Sequence, residues 1–340
     1  MEKHIQRYPM IDVMKFFMAI MVIALHANPL SDYSFWGNYM ITQCLTRVAV
    51  PFFFIAAGFF LFRKMTLESL DGAAVRSYVI RILRLYCIWC LIYLPLIIYS
   101  VIMNPKGIFL GILSKLRLFF VFGPYFHLWF LPALALAVAA FYFLLKRCSI
   151  RTILLVSVFL YLIPLLGSAY YGVFEHFCPP DTVGYSIVHF FQIVFYVPVN
   201  GLTYGLFFVS VGGGIALCRW TISFNKVISL VLTTFLCMIF ESFFLEYTGI
   251  ALGGGVYVFL LPLSVGIFFL IKDFKIKEGQ YTFLLRKMSM FVYFIHPYFL
   301  FFTEGMDSLA RFSLTASLSV LGAYVIVRLS EHYYRLRILC

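Results

Sequence analysis

Apolar and polar residues fall into long blocks along this chain, not into the three-and-four spacing of an amphipathic surface helix. Apolar runs stand at about 10–28, 42–62, 77–102, 126–145, 150–166, 199–218, 226–246, 254–271, 288–303 and 310–328. Each approaches the ~20 residues that carry a helix across a hydrocarbon layer. The pattern predicts an all-α, polytopic membrane bundle of about ten transmembrane helices, forming one membrane-embedded domain over residues 1–340. The first run lacks a small-residue cleavage site and carries ionisable groups, so it reads as a retained span, not a signal peptide. Two longer gaps interrupt the pattern. One, about 103–125, is itself rather apolar. The other, about 167–198, ends in a stretch over 187–198 that is expected to lie at the interface or re-enter, leading to the span near Asn200.

Composition agrees with the blocks. The chain is 63% hydrophobic and 12% charged, with 41 Phe and 23 Tyr. A soluble globule of that balance would expose far too much apolar surface. The net charge of +12 does not point to nucleic acid, because the positive charges are spread through the gaps between apolar runs. With the N-terminus inside, 21 Lys and Arg fall on the inner side, including Lys3, Lys15, Arg76, Arg81, Arg84, Arg335 and Arg337. The outer side holds five: Arg47, Lys106, Lys115, Arg117 and Arg311. That asymmetry supports ten spans with both termini cytoplasmic, in a cell membrane of the cytoplasmic (inner) type.

The first run, IDVMKFFMAIMVIALH, carries the most unusual chemistry. Lys15 and His26 are eleven residues apart, close to three whole turns, so they share a helix face roughly 16 Å apart along the axis. Asp12 falls on that face within reach of Lys15. Ala19 and Val22 lie between, and this line of small side chains reads as a channel wall. Ionisable groups inside a span are costly and mark function by default. Further candidates follow along the chain. Arg47 precedes Pro51 and Gly58 in the second run. Pro51 frees a carbonyl, and Gly58 admits a close neighbour, helix or ligand. Arg81 and Arg84 share a face at the start of the third run. His127 opens the fourth beside Trp129 and Pro132, and His296 precedes Pro297 midway along the ninth. Glu241 and Glu246 lie toward the outer end of the seventh. Plainer roles compete with these: cationic topology anchors, a snorkelling Arg47, packed histidines and interfacial carboxylates.

Taken together, Asp12, Lys15 and His26, the run RVAVPFFFIAAGFF, the Arg81/Arg84 pair, WFLPAL and YFIHP resemble membrane-bound acyltransferase family 3. The family's second helix commonly has a serine before the glycine, where this chain has Ala57. The resemblance covers about residues 8–335 and is most specific in the first ninety. It implies about ten helices and transfer of an acyl group, by default acetyl, from cytoplasmic acyl-CoA to a hydroxyl of an extracytoplasmic carbohydrate. Some members carry an added esterase-like or racemase domain; this sequence shows neither, so the rest of the reaction is expected within the membrane domain or from a partner. On this reading Lys15, Arg81 and Arg84 bind the phosphates of the donor, since guanidinium forks suit phosphate oxygens. The arm of the donor runs beside Ala19 and Val22, and its thioester lies near His26. His26 takes the proton of the acceptor hydroxyl as general base, and Asp12 holds Lys15. Arg47, His127, Glu241 and His296 are candidate substrate contacts. Acyl-CoA enters as co-substrate, with no permanently bound cofactor and no metal; the remaining partners are a glycan acceptor and the bilayer.

Other apparent motifs carry less. Cys87 and Cys90 sit in an apolar helix, where cysteine is a small hydrophobe. The eight cysteines show neither zinc spacing nor a disulfide framework. The glycine runs 212–214 and 253–255 lack the strand-turn-helix setting of a phosphate loop. No serine stands in a nucleophile elbow, which favours direct transfer over an acyl-enzyme. The rival reading is a transporter or exporter of a small polar or saccharide substrate, since charged groups inside bundles also mark pathways. A carrier is commonly built on inverted repeats, and none is evident here.

Overall fold

Long apolar runs become helices because hydrocarbon offers no partner to an exposed backbone N–H or C=O. In the computed structural model, residues 7–195, 199–251, 253 and 255–333 are described. Lys3, Arg335 and Arg337 of the charge count, Gly254 of the second glycine run, and residues 196–198 of the expected interfacial segment lie outside the described residues. The helices are α1 (Pro9–Ala27), α2 (Phe35–Tyr39), α3 (Ala49–Phe62), α4 (Gly72–Ile92) and α5 (Leu94–Ile102). There follow α6 (Ile108–Val121), α7 (Phe130–Leu145), α8 (Ile150–Leu166), α9 (Tyr171–Phe177) and α10 (Val183–Phe195). The last are α11 (Leu206–Leu217), α12 (Phe224–Tyr247), α13 (Leu260–Asp273), α14 (Gln280–Phe302) and α15 (Ser308–His332). No strand occurs among the described residues.

Each of the ten apolar runs contains a helix, but not ten long straight ones. Among the described residues, four helical stretches are long and apolar enough to cross a membrane alone: 9–27, 35–62, 224–247 and 308–332. Two bent pairs raise the number to as many as six. The run at 77–102 breaks between α4 and α5 at 56°, beside Pro95, whose ring cannot continue the preceding helix. α8 turns by 91° into α9. The helices at 130–145 and 201–217 are apolar but shorter. α14 begins at Gln280, well before the apolar run at 288, and its first turns carry Arg286 and Lys287. The chain is a helical membrane protein, and its outward surfaces fit one: Leu155 and Phe159 on α8 are 73% and 71% exposed, as lipid-facing residues are.

Contacts divide the chain into two units, the first of residues 1–53, 221–239 and 259–340, the second of residues 54–220 and 240–258. In the first unit α1 packs on α14 and α15, on α13, and on the irregular turns at 40–48. Ile11, Ala19, Val22 and Ile23 of α1, Phe291 and Val292 of α14, and Ala323 and Val327 of α15 fill its interior. Asn28 ends α1 in the left-handed conformation, with its N–H donating to the Ala24 carbonyl. The following loop is tied to the start of α15. Asp32 Oδ2 accepts from the Ser308 N–H at 2.8 Å, and the Asp32 N–H donates to Ser308 Oγ at 3.3 Å. Asp307 caps α15 by accepting from the N–H groups of Leu309 and Ala310. The Tyr33 hydroxyl donates to Asp307. That bond, with the Ala310 N–H behind it, holds the Asp307 carboxyl below its ordinary range.

In the second unit α4 packs on α7, while α11 and the π-helical turn Gly201–Gly205 pack on α7 and α8. Asn200 caps that turn through the N–H groups of Leu202 and Thr203. The glycines of the second and sixth apolar runs meet here. A Cβ on Gly58 would overlap the Val209 carbonyl oxygen, and one on Gly212 the Ile55 carbonyl oxygen. The neighbour Gly58 admits is therefore α11, and the 212–214 glycines serve helix packing.

Candidate functional site

Local sequence explains how α1 and its neighbours present their ionisable groups. Asp12 and Lys15 stand one turn apart on α1 with 4.0 Å between Lys15 Nζ and Asp12 Oδ1, both partly buried. The helix repeat that pairs them carries His26 to the same face, where the residue is half-buried. Between them Ala19 and Val22 are 0% and 2% exposed. The expected channel wall is thus closed by packing along α1, because small side chains let the neighbouring helices approach fully.

Arg47 lies on a short 3-10 turn, Thr46–Val48, that follows a π-helical turn, Met40–Leu45. Pro51 has no N–H for the carbonyl of Arg47, and the ladder loosens into these irregular turns just before it. The Arg47 guanidinium donates from Nε and from its terminal nitrogen to Gln43 Oε1 at 3.1 and 2.7 Å, and it lies within electrostatic range of His26. His296 joins the same unit from α14. Its ring stacks on that of His26, with centroids 5.7 Å apart and planes 16° from parallel. His296 is fully buried. His26 is therefore the less buried of the pair, and nothing in the spacing of the two positions along the chain announces their contact.

The second unit presents the paired arginines. Arg81 and Arg84 line an open groove of about 670 Å³ along α4, together with Gly72, Ala73, Arg76, Ser77 and Ile80. Arg76 adds a third exposed guanidinium that the reading of the pair omitted. It lies five residues before Arg81 and eight before Arg84, off the i,i+3 and i,i+4 positions, so the face argument that pairs Arg81 with Arg84 passes over it. Lys15 belongs to the first unit and these arginines to the second.

The remaining candidates are packed. His127 is 2% exposed and its ring lies 4.8 Å from that of Tyr93, with Tyr125 and Phe126 close by. Glu241 is 6% exposed, and its Oε1 accepts from the Tyr170 hydroxyl at 2.8 Å and from the Val258 N–H at 2.6 Å. It ties α12 to α9 and to the segment before α13. Glu246, further along α12, is half-buried. No group of three or more His, Cys, Asp or Glu suited to a metal occurs among the described residues.

Comparison with known proteins adds three curated relatives. The chain is 28% identical over 275 residues to an amino-acid racemase of Enterococcus faecalis, covering 80% of this chain and 37% of that protein. A second E. faecalis amino-acid racemase is 26% identical over 341 residues, covering 94% of this chain and 46% of the relative. A serine/alanine racemase of Enterococcus gallinarum is 27% identical over 299 residues, covering 85% and 40%. The chain thus spans less than half the length of these relatives. No solved structure matches it. The family profile described as an acyltransferase domain matches residues 8–329, nearly the whole chain, and includes α1 with Asp12, Lys15 and His26, the arginine face of α4 and the His296 helix; the chain belongs to acyltransferase family 3.

Proposed function

We propose that the protein is an integral-membrane O-acyltransferase that takes an acyl group, acetyl in the simplest case, from acyl-CoA and esterifies a hydroxyl of a cell-envelope or extracellular carbohydrate. The observation that carries this reading is the state of His26. Of His26, His127 and His296, it is the residue that is half-buried and not fully buried, on the helix that also carries the Asp12–Lys15 pair. A general base must be reachable by the proton it removes. In this reading His26 takes the proton of the attacking hydroxyl, and the hydroxyl oxygen adds to the thioester carbonyl. Coenzyme A leaves as a thiolate that is then protonated. Asp12 holds the Lys15 ammonium near the start of α1. The groove on α4 supplies Arg81, Arg84 and Arg76 for the phosphates of the donor, because guanidinium forks pair with phosphate oxygens. Ten spans with both termini cytoplasmic would put Lys15 and the α4 groove on the donor's side, as the lysine and arginine asymmetry favours.

One observation favours a second reading. All three curated relatives bear names referring to amino acids, so a carrier of small amino acids is the alternative to test. Membranes containing the protein are incubated with radiolabelled acetyl-CoA and cell-envelope material, and alkali-labile label on carbohydrate is measured. In parallel, vesicles are assayed for uptake of labelled serine and alanine. Ester label without uptake supports acyl transfer; uptake without donor consumption overturns it.

A further inference from the structure

His26 does not stand alone, and the chain's own sequence explains why its partner is fixed. In α14 the Tyr293 carbonyl would normally accept from the N–H four residues on, but that residue is Pro297, which has none. Inside an apolar layer a carbonyl left without a donor is costly, and nearby side chains satisfy it. Here the donor is the His296 ring, with Nδ1 2.6 Å from the Tyr293 oxygen. A carbonyl can only accept, so the hydrogen sits on Nδ1, and the tautomer and tilt of the ring are set together. Burial on every side then holds the ring in place. The His26 ring runs nearly parallel beside it, 5.7 Å between centroids and 16° between planes. Tyr293, itself buried, is braced by Phe53 edge-on at 6.1 Å.

We infer that His296 is a positioning residue: its flat ring, held chiefly by burial and further oriented by the Tyr293 carbonyl that Pro297 releases, sets the plane of the His26 imidazole so that a ring nitrogen addresses the acceptor hydroxyl. This rests on the proposed role of His26 as general base. It also reassigns His296, which the sequence suggested as a substrate contact, to a place where it acts through another side chain. Orientation of a reacting group is worth large factors in rate, and small misplacements are felt.

The test uses three variants of the full chain in membranes, each checked for level and thermal midpoint. His296→Phe keeps a flat ring and loses the bond to the Tyr293 carbonyl. His296→Asn keeps an N–H for that carbonyl and loses the ring. His296→Ala loses both. Two quantities are read: kcat and KM for acetyl-CoA and acceptor, and the rate at which diethyl pyrocarbonate modifies His26, followed by mass spectrometry. His296→Phe should keep kcat within a few-fold, whereas His296→Asn and His296→Ala lose about tenfold or more with KM for the donor unchanged. Modification of His26 should speed up severalfold in the latter two and stay near wild type in His296→Phe. The inference is overturned if His296→Asn is the active variant and His296→Phe the inactive one. A change confined to KM for the acceptor, or the same His26 modification rate in all variants, would also overturn it. If the wild type consumes no donor at all, the proposed acyl transfer fails while the modification series still decides whether His296 holds His26.

Discussion

Replacing Gly212 by Ala inserts one methyl between two helices that already touch backbone to backbone. The added Cβ would overlap the Ile55 carbonyl oxygen and lie 2.8 Å from the Phe59 nitrogen, both on α3. Neither atom can swing away as a side-chain tip could, so α11 and α3 must part by on the order of 1 Å, and a gap of that size forfeits a quarter to a half of the dispersion well across the contact. Overpacking of this kind costs about 1–3 kcal/mol, which for a chain of this length corresponds to a fall of roughly 1–4 °C in unfolding midpoint. The buried Cys90 thiol provides the assay, through a thiol-reactive dye during heating in detergent. Gly253→Ala is the control, since nothing lies within 4 Å of its added methyl. Gly58→Ala strains the same interface from the other side, so the double variant should lose less than the sum of the two, the helices having already parted. An unchanged midpoint for Gly212→Ala, or equal damage from Gly253→Ala, would refute the reasoning.

Other expectations follow from the same structure. Glu241→Gln retains an oxygen for the Tyr170 hydroxyl and the Val258 N–H and should unfold near the wild-type temperature, whereas Glu241→Leu strands both donors and should cost about 1–3 kcal/mol. The depressed Asp307 carboxyl contributes stability that is present above its unfolded pKa and is lost as pH falls through the lower folded one. The stability difference between wild type and Asp307→Asn should therefore shrink on acidification below that range, and a constant difference would count against the Tyr33 and Ala310 bonds. Arg76→Gln should narrow the preference for acetyl-CoA over acetyl-dephospho-CoA by several-fold, read as the ratio of kcat/KM values. If it alters only binding to anionic lipid vesicles, the groove on α4 serves the membrane surface instead.

What could be read from the residues was whatever helical repetition governs. The shared face of Asp12, Lys15 and His26 follows from 3.6 residues per turn, as does the pairing of Arg81 with Arg84, and both sets lie on helices where that repeat applies. The apolar blocks located a helix in each of the ten runs. Their lengths and bends were less legible: Pro95 breaks the third run beside Tyr93, and α14 starts in polar sequence that block-reading leaves out. Contacts between distant segments left no periodic trace. The stack of His26 on His296 and the two donors to Glu241 depend on tertiary packing. The closing of the Ala19 and Val22 face does too, since small residues suit a channel wall and a tight helix contact equally. Pro297 is an intermediate case: that it frees the Tyr293 carbonyl can be read from the sequence, but that His296 satisfies it cannot.

The central claim, that His26 is the base of an acyl transfer, is tested most directly by the initial rate of acetyl-CoA consumption in membranes holding equal amounts of wild type and His26→Ala, both shown to be folded by their thermal midpoints. The account predicts turnover by the wild type with envelope acceptor present and at least a hundredfold loss in the variant, within the ~10²–10⁴ range of a positioned general base. Equal rates in the two proteins would contradict it.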